Sequence, residues 1–153
     1  MAKTKSWEVK KLHKKLSFKK SSQIVLGNRL KNTVKSIKKY LSESTVKNLH
    51  SMRIAIRRMR YGMEIFVECY ERKDFLYLYD FIVALQDKSG EVRDLDVLFE
   101  NINRFKNESG ITELTSIEKD ILAKKEILSA ELSLKLNEFL GSDIMKDFKG
   151  LLA

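Results

Sequence analysis

The sequence predicts an all-α protein, an antiparallel helical bundle of about four to six helices. Three observations predict it. The 153 residues contain no proline and only six glycines, and proline breaks helices while glycine weakens them. No stretch shows the clean period-two alternation of a half-buried strand. Capping and stop residues recur at short intervals, so consecutive helices are joined by short loops and lie as antiparallel neighbours. At 43% hydrophobic the chain can bury a core, and its length suits one domain.

Residues 1–20 carry eight lysines and one glutamate and read as a basic arm, with Trp7, Leu12, Leu16 and Phe18 available to dock part of it. Residues 21–153 read as a single helical domain. Ser21/Ser22 can cap a helix to about Ser42, with Ile24, Leu30, Val34, Ile37 and Leu41 on its apolar side. Ser44/Thr45 can cap a second, to about Arg72. Asp74 starts a third, to about Asp87. Gly90 interrupts it, and a fourth runs from about Glu91 to Asn107, stopped by Gly110. Thr115 with Glu118 three residues on fits a capping box and opens a long helix to Leu140, ended by Gly141. Ser142 can cap a last short helix, Asp143 to Leu151. No internal repeat is evident.

Charge is unevenly spread. Residues 1–73 hold 20 Lys/Arg against 5 Asp/Glu, and residues 74–153 hold 10 against 16. The halves therefore carry net +15 and −6, which points to an anionic partner met mainly by the first half. The apolar runs are too short to span a bilayer, and no apolar segment follows the basic start as in a secretory signal. A lone cysteine, Cys69, excludes an internal disulfide and a Cys-based zinc site, and suits a reducing cytoplasm.

The second helix holds the most informative pattern, LHSMRIAIRRMRYGMEIF at residues 49–66. At 100° per residue from His50, Arg57 falls at about −20°, Arg53 at about −60° and Arg60 at about −80°. Ala55, Phe66, Met59, Met52, Met63 and Ile56 fall between about 140° and 240°, and Arg58 at about 80°. A helix burying its Met/Phe side would present His50, Arg53, Arg57 and Arg60 together. Cations at these spacings repel one another. No carboxylate is expected to compensate within the stripe, so acids of other helices, such as Glu91, Asp94 and Asp96, or a polyanion must do so. The arginine fork suits phosphate oxygens. His50 adds a proton-dependent contact, so phosphate binding is expected to tighten at mildly acidic pH. Lys31, Lys35 and Lys38 form one stripe on the preceding helix and can line the same groove or face solvent. Arg93, just after Gly90 and near a helix start, is a further candidate. Asp94 and Asp96 are expected to orient arginines. No nucleophile–base pair, Gly-rich phosphate loop or carboxylate metal cluster is visible, and no cofactor is expected.

Two segments carry a family resemblance. Leu49, His50, Arg53, Ile54, Arg57, Arg58, Arg60, Tyr61 and Glu64 match the pattern L-H-x-x-R-[IV]-x-x-[RK]-R-x-R-Y-x-x-E. Leu85, Gln86, Asp87, Gly90, Arg93, Asp94, Leu95, Asp96 and Val97 match L-Q-D-x-x-G-x-x-R-D-L-D-V. In this order and spacing they resemble the CHAD family, the conserved-histidine α-helical domains, over about residues 22–103. The resemblance implies a helical bundle that binds inorganic polyphosphate through basic residues and is not itself catalytic. It places His50, Arg53, Arg57, Arg58, Arg60 and Arg93 at the polyphosphate, and the stripe of Lys31, Lys35 and Lys38 is a further candidate from its position on the preceding helix. Family members look like two related halves around a basic channel, whereas this chain has one copy of the signature. Either the chain is a minimal one-half version, or two chains pair to place two basic stripes around one groove; of the two, the homodimer is expected. The alternative is a nucleic-acid-binding protein using the same face and the lysine arm. The stripe has no interleaved aromatics for base stacking, which favours polyphosphate.

Overall fold

A computed structural model describes residues 8–153, apart from the side chain of Ser142. The expected contacts of Trp7 lie outside the described residues. Five α-helices pack as a bundle: α1 Phe18–Ser42, α2 Val46–Phe66, α3 Arg72–Ser109, α4 Thr115–Leu140 and α5 Ser142–Leu151. No strand occurs among the described residues, and none of their helices is long and apolar enough to cross a membrane.

Short connectors return each long helix along its predecessor. Thr33 meets Ala55 and Leu26 meets Gly62 across α1–α2. Arg53 meets Gly90 and Glu64 meets Tyr79 across α2–α3. Asp96 meets Lys125 and Lys106 meets Glu118 across α3–α4. In each set one residue number rises as the other falls, so the pairs are antiparallel. The core is shared by Leu26, Leu30 and Ile37 of α1, Met52, Ile56, Met59 and Met63 of α2, Phe75, Ile82 and Leu85 of α3, Leu132, Leu136 and Phe139 of α4, and Phe148 of α5.

Several element boundaries differ from the sequence expectation. Helix α1 starts at Phe18 because Ser17 is the residue whose side chain accepts from the Lys20 N–H; Phe18 then packs on Phe66, ring centres 4.9 Å apart. Helix α2 stops at Phe66 rather than near Arg72. It tightens into a 3-10 turn at Val67–Cys69, and Tyr70, in extended backbone, stacks on Phe75 and shares a hydrogen bond with Ser22. Gly90 does not interrupt the third helix. Helix α3 runs through it for 38 residues, because one glycine costs only about 1 kcal/mol against alanine and buried Leu85, Ser89 and Val92 anchor both sides. Gly110, at φ +67°, supplies the left-handed stop. The Thr115/Glu118 capping box does not form: Leu114 is the cap residue without a side-chain bond, and Glu118 is held by Lys106 at 2.9 Å. Gly141, not Ser142, precedes α5.

Candidate functional site

The start of α2 is firmly fixed, which fixes the angular position of everything on it. Thr45 Oγ1 accepts from the Asn48 N–H at 3.1 Å, and buried Asn48 donates to the Glu43 carbonyl at 2.9 Å. Met52, Ile56, Met59 and Met63 are fully buried. The helix therefore turns its other side outward, with His50, Arg57 and Arg58 exposed.

The two sequence motifs meet at Arg53. Its Nη2 lies 3.6 Å from where a Cβ at Gly90 would stand, so its guanidinium reaches across to α3. Its Nε is buried and makes no hydrogen bond among the described residues. Burial lowers the guanidinium from its ordinary value; Arg57 lowers it further, Asp94 opposes and Arg93 adds to the fall. Arg53, Arg57, Arg93 and Asp94 thus share one neighbourhood, with three cations against one carboxylate. Arg93 also reaches Glu100 at 3.4 Å. Its expected position near a helix start is not observed: α3 is continuous there, so its N–H groups lie inside the helical ladder. Arg57 and His50 form no ion pair among the described residues.

Arg60 differs from its neighbours. Its Nε donates to Glu64 at 2.9 Å, and the Tyr79 hydroxyl donates to the same carboxylate oxygen at 2.6 Å. The Tyr79 bond holds Glu64 below its ordinary value; burial opposes this, and Arg60 lowers it further. The expectation that no carboxylate compensates within the stripe is therefore corrected. Glu64 lies at about −40° on the same wheel and neutralises one of the cations.

Lys31, Lys35 and Lys38 do not act as one stripe. Lys35 joins Arg29, Lys39 and Arg58 in a cleft of about 340 Å³ between α1 and α2, where Asn32, Ser36 and Ser51 supply polar groups and no carboxylate lines the wall. Burial and the nearby Arg58 lower Arg29 from its ordinary value. Lys31 and Lys38 instead line a larger cleft, about 920 Å³, with Lys146 and Lys149 over an apolar floor of Leu30, Val34, Leu140, Met145 and Leu152. Arg29 was missing from the sequence-based candidates. Its wheel position, beside Asn32 and Ser36 on α1, was the available signal.

The two aspartates face apart, as their spacing requires. Asp94 faces Arg53. Asp96 orients no arginine: it is buried and pairs with Lys125 of α4, joining two helices away from the cationic face. No group of three metal-ligating side chains occurs among the described residues.

The outward side of α2 is thus a cationic surface, bordered by the Arg29/Arg58 cleft on one flank and the Arg53/Arg93 cluster on the other. No curated protein and no solved structure matches the chain. The family model of the CHAD domain matches residues 2–124, wider than the span of the two motifs. With the helical bundle and both motifs brought together at Arg53, the chain belongs to the CHAD domain family.

Proposed function

We propose that the chain binds inorganic polyphosphate on the outward face of α2, without chemical turnover. One observation carries the reading: Arg53 holds a buried Nε with no hydrogen bond among the described residues, beside Arg57 and Arg93, while Asp94 opposes them and Glu100 engages Arg93. Burying a cation with an unsatisfied donor costs free energy, and a bound phosphate oxygen removes that cost. Arg57 and His50 extend the contact outward, and the Arg29/Lys35/Lys39/Arg58 cleft offers room for a further phosphate along the chain. Arg60 contributes less, because Glu64 already engages it. Lys31 and Lys38 contribute least, because their cleft has an apolar floor. The unpaired Cys69 suits a reducing cytoplasm.

The test is displacement of labelled long-chain polyphosphate by unlabelled polyphosphate, single-stranded DNA and duplex DNA at equal phosphate concentration. Polyphosphate should compete best. Arg57→Gln should weaken binding about tenfold, the loss of one charge-assisted hydrogen bond, while Lys31→Gln/Lys38→Gln changes it less than about twofold. Equal competition by nucleic acid favours the nucleic-acid alternative and sinks the polyphosphate assignment. Release of orthophosphate with Mg²⁺ or Mn²⁺ would contradict pure binding.

A further inference from the structure

Helix α4 carries an apolar stripe that no other described element covers. Ile127 and Leu134 are 61% and 73% exposed, and Ala123, one turn before Ile127, and Ala130, between the two, are exposed as well. These residues are spaced by four, three and four, the interval that keeps one seam facing a partner helix. They lie opposite Ile121, Leu132, Leu136 and Phe139, which are buried.

The flanking charges select the partner helix and its direction. With Ile127 and Leu134 at heptad position a and Ala123 and Ala130 at d, Lys124 and Glu131 occupy e, while Lys119 and Glu126 occupy g. Two parallel copies would set g against e, bringing Lys119 to Lys124 and Glu126 to Glu131, like charges throughout. Two antiparallel copies set e against e, bringing Lys124 to the second copy's Glu131, twice by symmetry. Side-chain size agrees with that register. Ile127 falls over the second copy's Ala130 and Leu134 over its Ala123, large against small in every layer.

We propose that the chain forms a two-fold symmetric dimer through antiparallel α4 helices centred between residues 127 and 130. Glu131 meets Lys88 of its own chain but remains half exposed (49%), so its carboxylate is open to the second copy's Lys124. Because α2 packs chiefly on α1 and α3, the seam and the cationic face belong to different elements. The dimer therefore carries two separate cationic faces, unlike the single groove expected from sequence, and it stands independently of which anion binds.

Sedimentation equilibrium of the full chain over a concentration series tests the proposal. The expected mass rises from one chain toward two. Leu134→Glu, Lys124→Glu and Glu131→Lys should each weaken association about tenfold or more through buried or like charge. An equimolar mixture of the Lys124→Glu and Glu131→Lys chains should restore it, because both e–e contacts then join Glu to Lys. Helix content by circular dichroism shows that each variant is folded. A single-chain mass at every concentration overturns the proposal. So does a dimer indifferent to Leu134→Glu, or a mixture that stays as weak as its folded components.

Discussion

Replacing Arg53 by methionine separates a ligand-binding role from a structural one, because the two predict opposite signs for stability. Methionine keeps most of the aliphatic length that packs between α2 and α3 and removes the guanidinium. In the free protein that guanidinium has a buried Nε without a partner and lies near Arg57 and Arg93. An unsatisfied buried donor costs about 1–3 kcal/mol, and each like-charge neighbour adds a few tenths. Attraction to exposed Asp94 is worth about 0–1 kcal/mol in the other direction. Because the rest of the guanidinium reaches water, the lower end of the first figure applies. Arg53→Met should therefore stabilise the free chain by about 1 kcal/mol, a rise in Tm of roughly 2–4 °C for a domain of this size. Its affinity for polyphosphate should fall about 10- to 100-fold, since a hydrogen bond to a charged group is worth about 1.5–3 kcal/mol. Thermal melts by circular dichroism and titration calorimetry on the same preparation read both quantities. A Tm lowered by several degrees with unchanged affinity would refute the reasoning and make Arg53 a structural strut between the helices.

Polyphosphate affinity should fall with salt on a log–log slope of about −3.5 for about five neutralised phosphates, and Arg57→Gln should flatten it by about 0.7; titrations between low and physiological salt measure both. Tyr79→Phe should move the Glu64 titration, followed by NMR, up toward the ordinary carboxylate value. Glu64 lies below that value in the folded chain, so its contacts stabilise the fold above the ordinary carboxylate range. That contribution is lost as pH falls through Glu64's folded value, and it should shrink in the variant.

The features legible in the sequence were those written locally. Met52, Ile56, Met59 and Met63 fall on one side of α2 because a 3.6-residue period needs only the helix itself to be read. Thr45 caps α2 and Gly110 ends α3 for equally local reasons. The Glu64 contact with Arg60 was legible as well, four residues on and on the same face, and required only that the wheel be carried one turn further. Other features depend on distant partners. Lys31, Lys35 and Lys38 share a stripe on an isolated helix, yet α2 packs along one flank of it and α5 approaches the other. Lys35 consequently lines a cleft with Arg58, and Lys31 lines another with Lys146. Nothing near residue 31 records where residue 146 will land. The continuity of α3 through Gly90 is also tertiary, because local propensity weakens the helix there while Leu85 and Val92 hold it in the core.

The charge asymmetry acquires a structural meaning from the ion pairs. Among the described residues, the ion pairs made by the acidic second half stay within that half. Glu131 and Glu91 meet Lys88, Glu118 meets Lys106 and Asp96 meets Lys125, so these carboxylates of α3 and α4 engage lysines of the same two helices. On α2, by contrast, Arg60 has the one ion pair among the described residues, and its acid comes from α2 itself. Packing thus leaves Arg57 and Arg58 without an ion pair among the described residues, and sets only exposed Asp94 of the acidic half against Arg53. Concentrated on one helix face, that positive charge produces a local field at the surface where phosphate would dock. It also explains why the α4 seam can be nearly balanced, with Lys124 beside Glu131. The same partition that exposes a cationic face on α2 leaves α4 with a charge pattern suited to its own antiparallel copy.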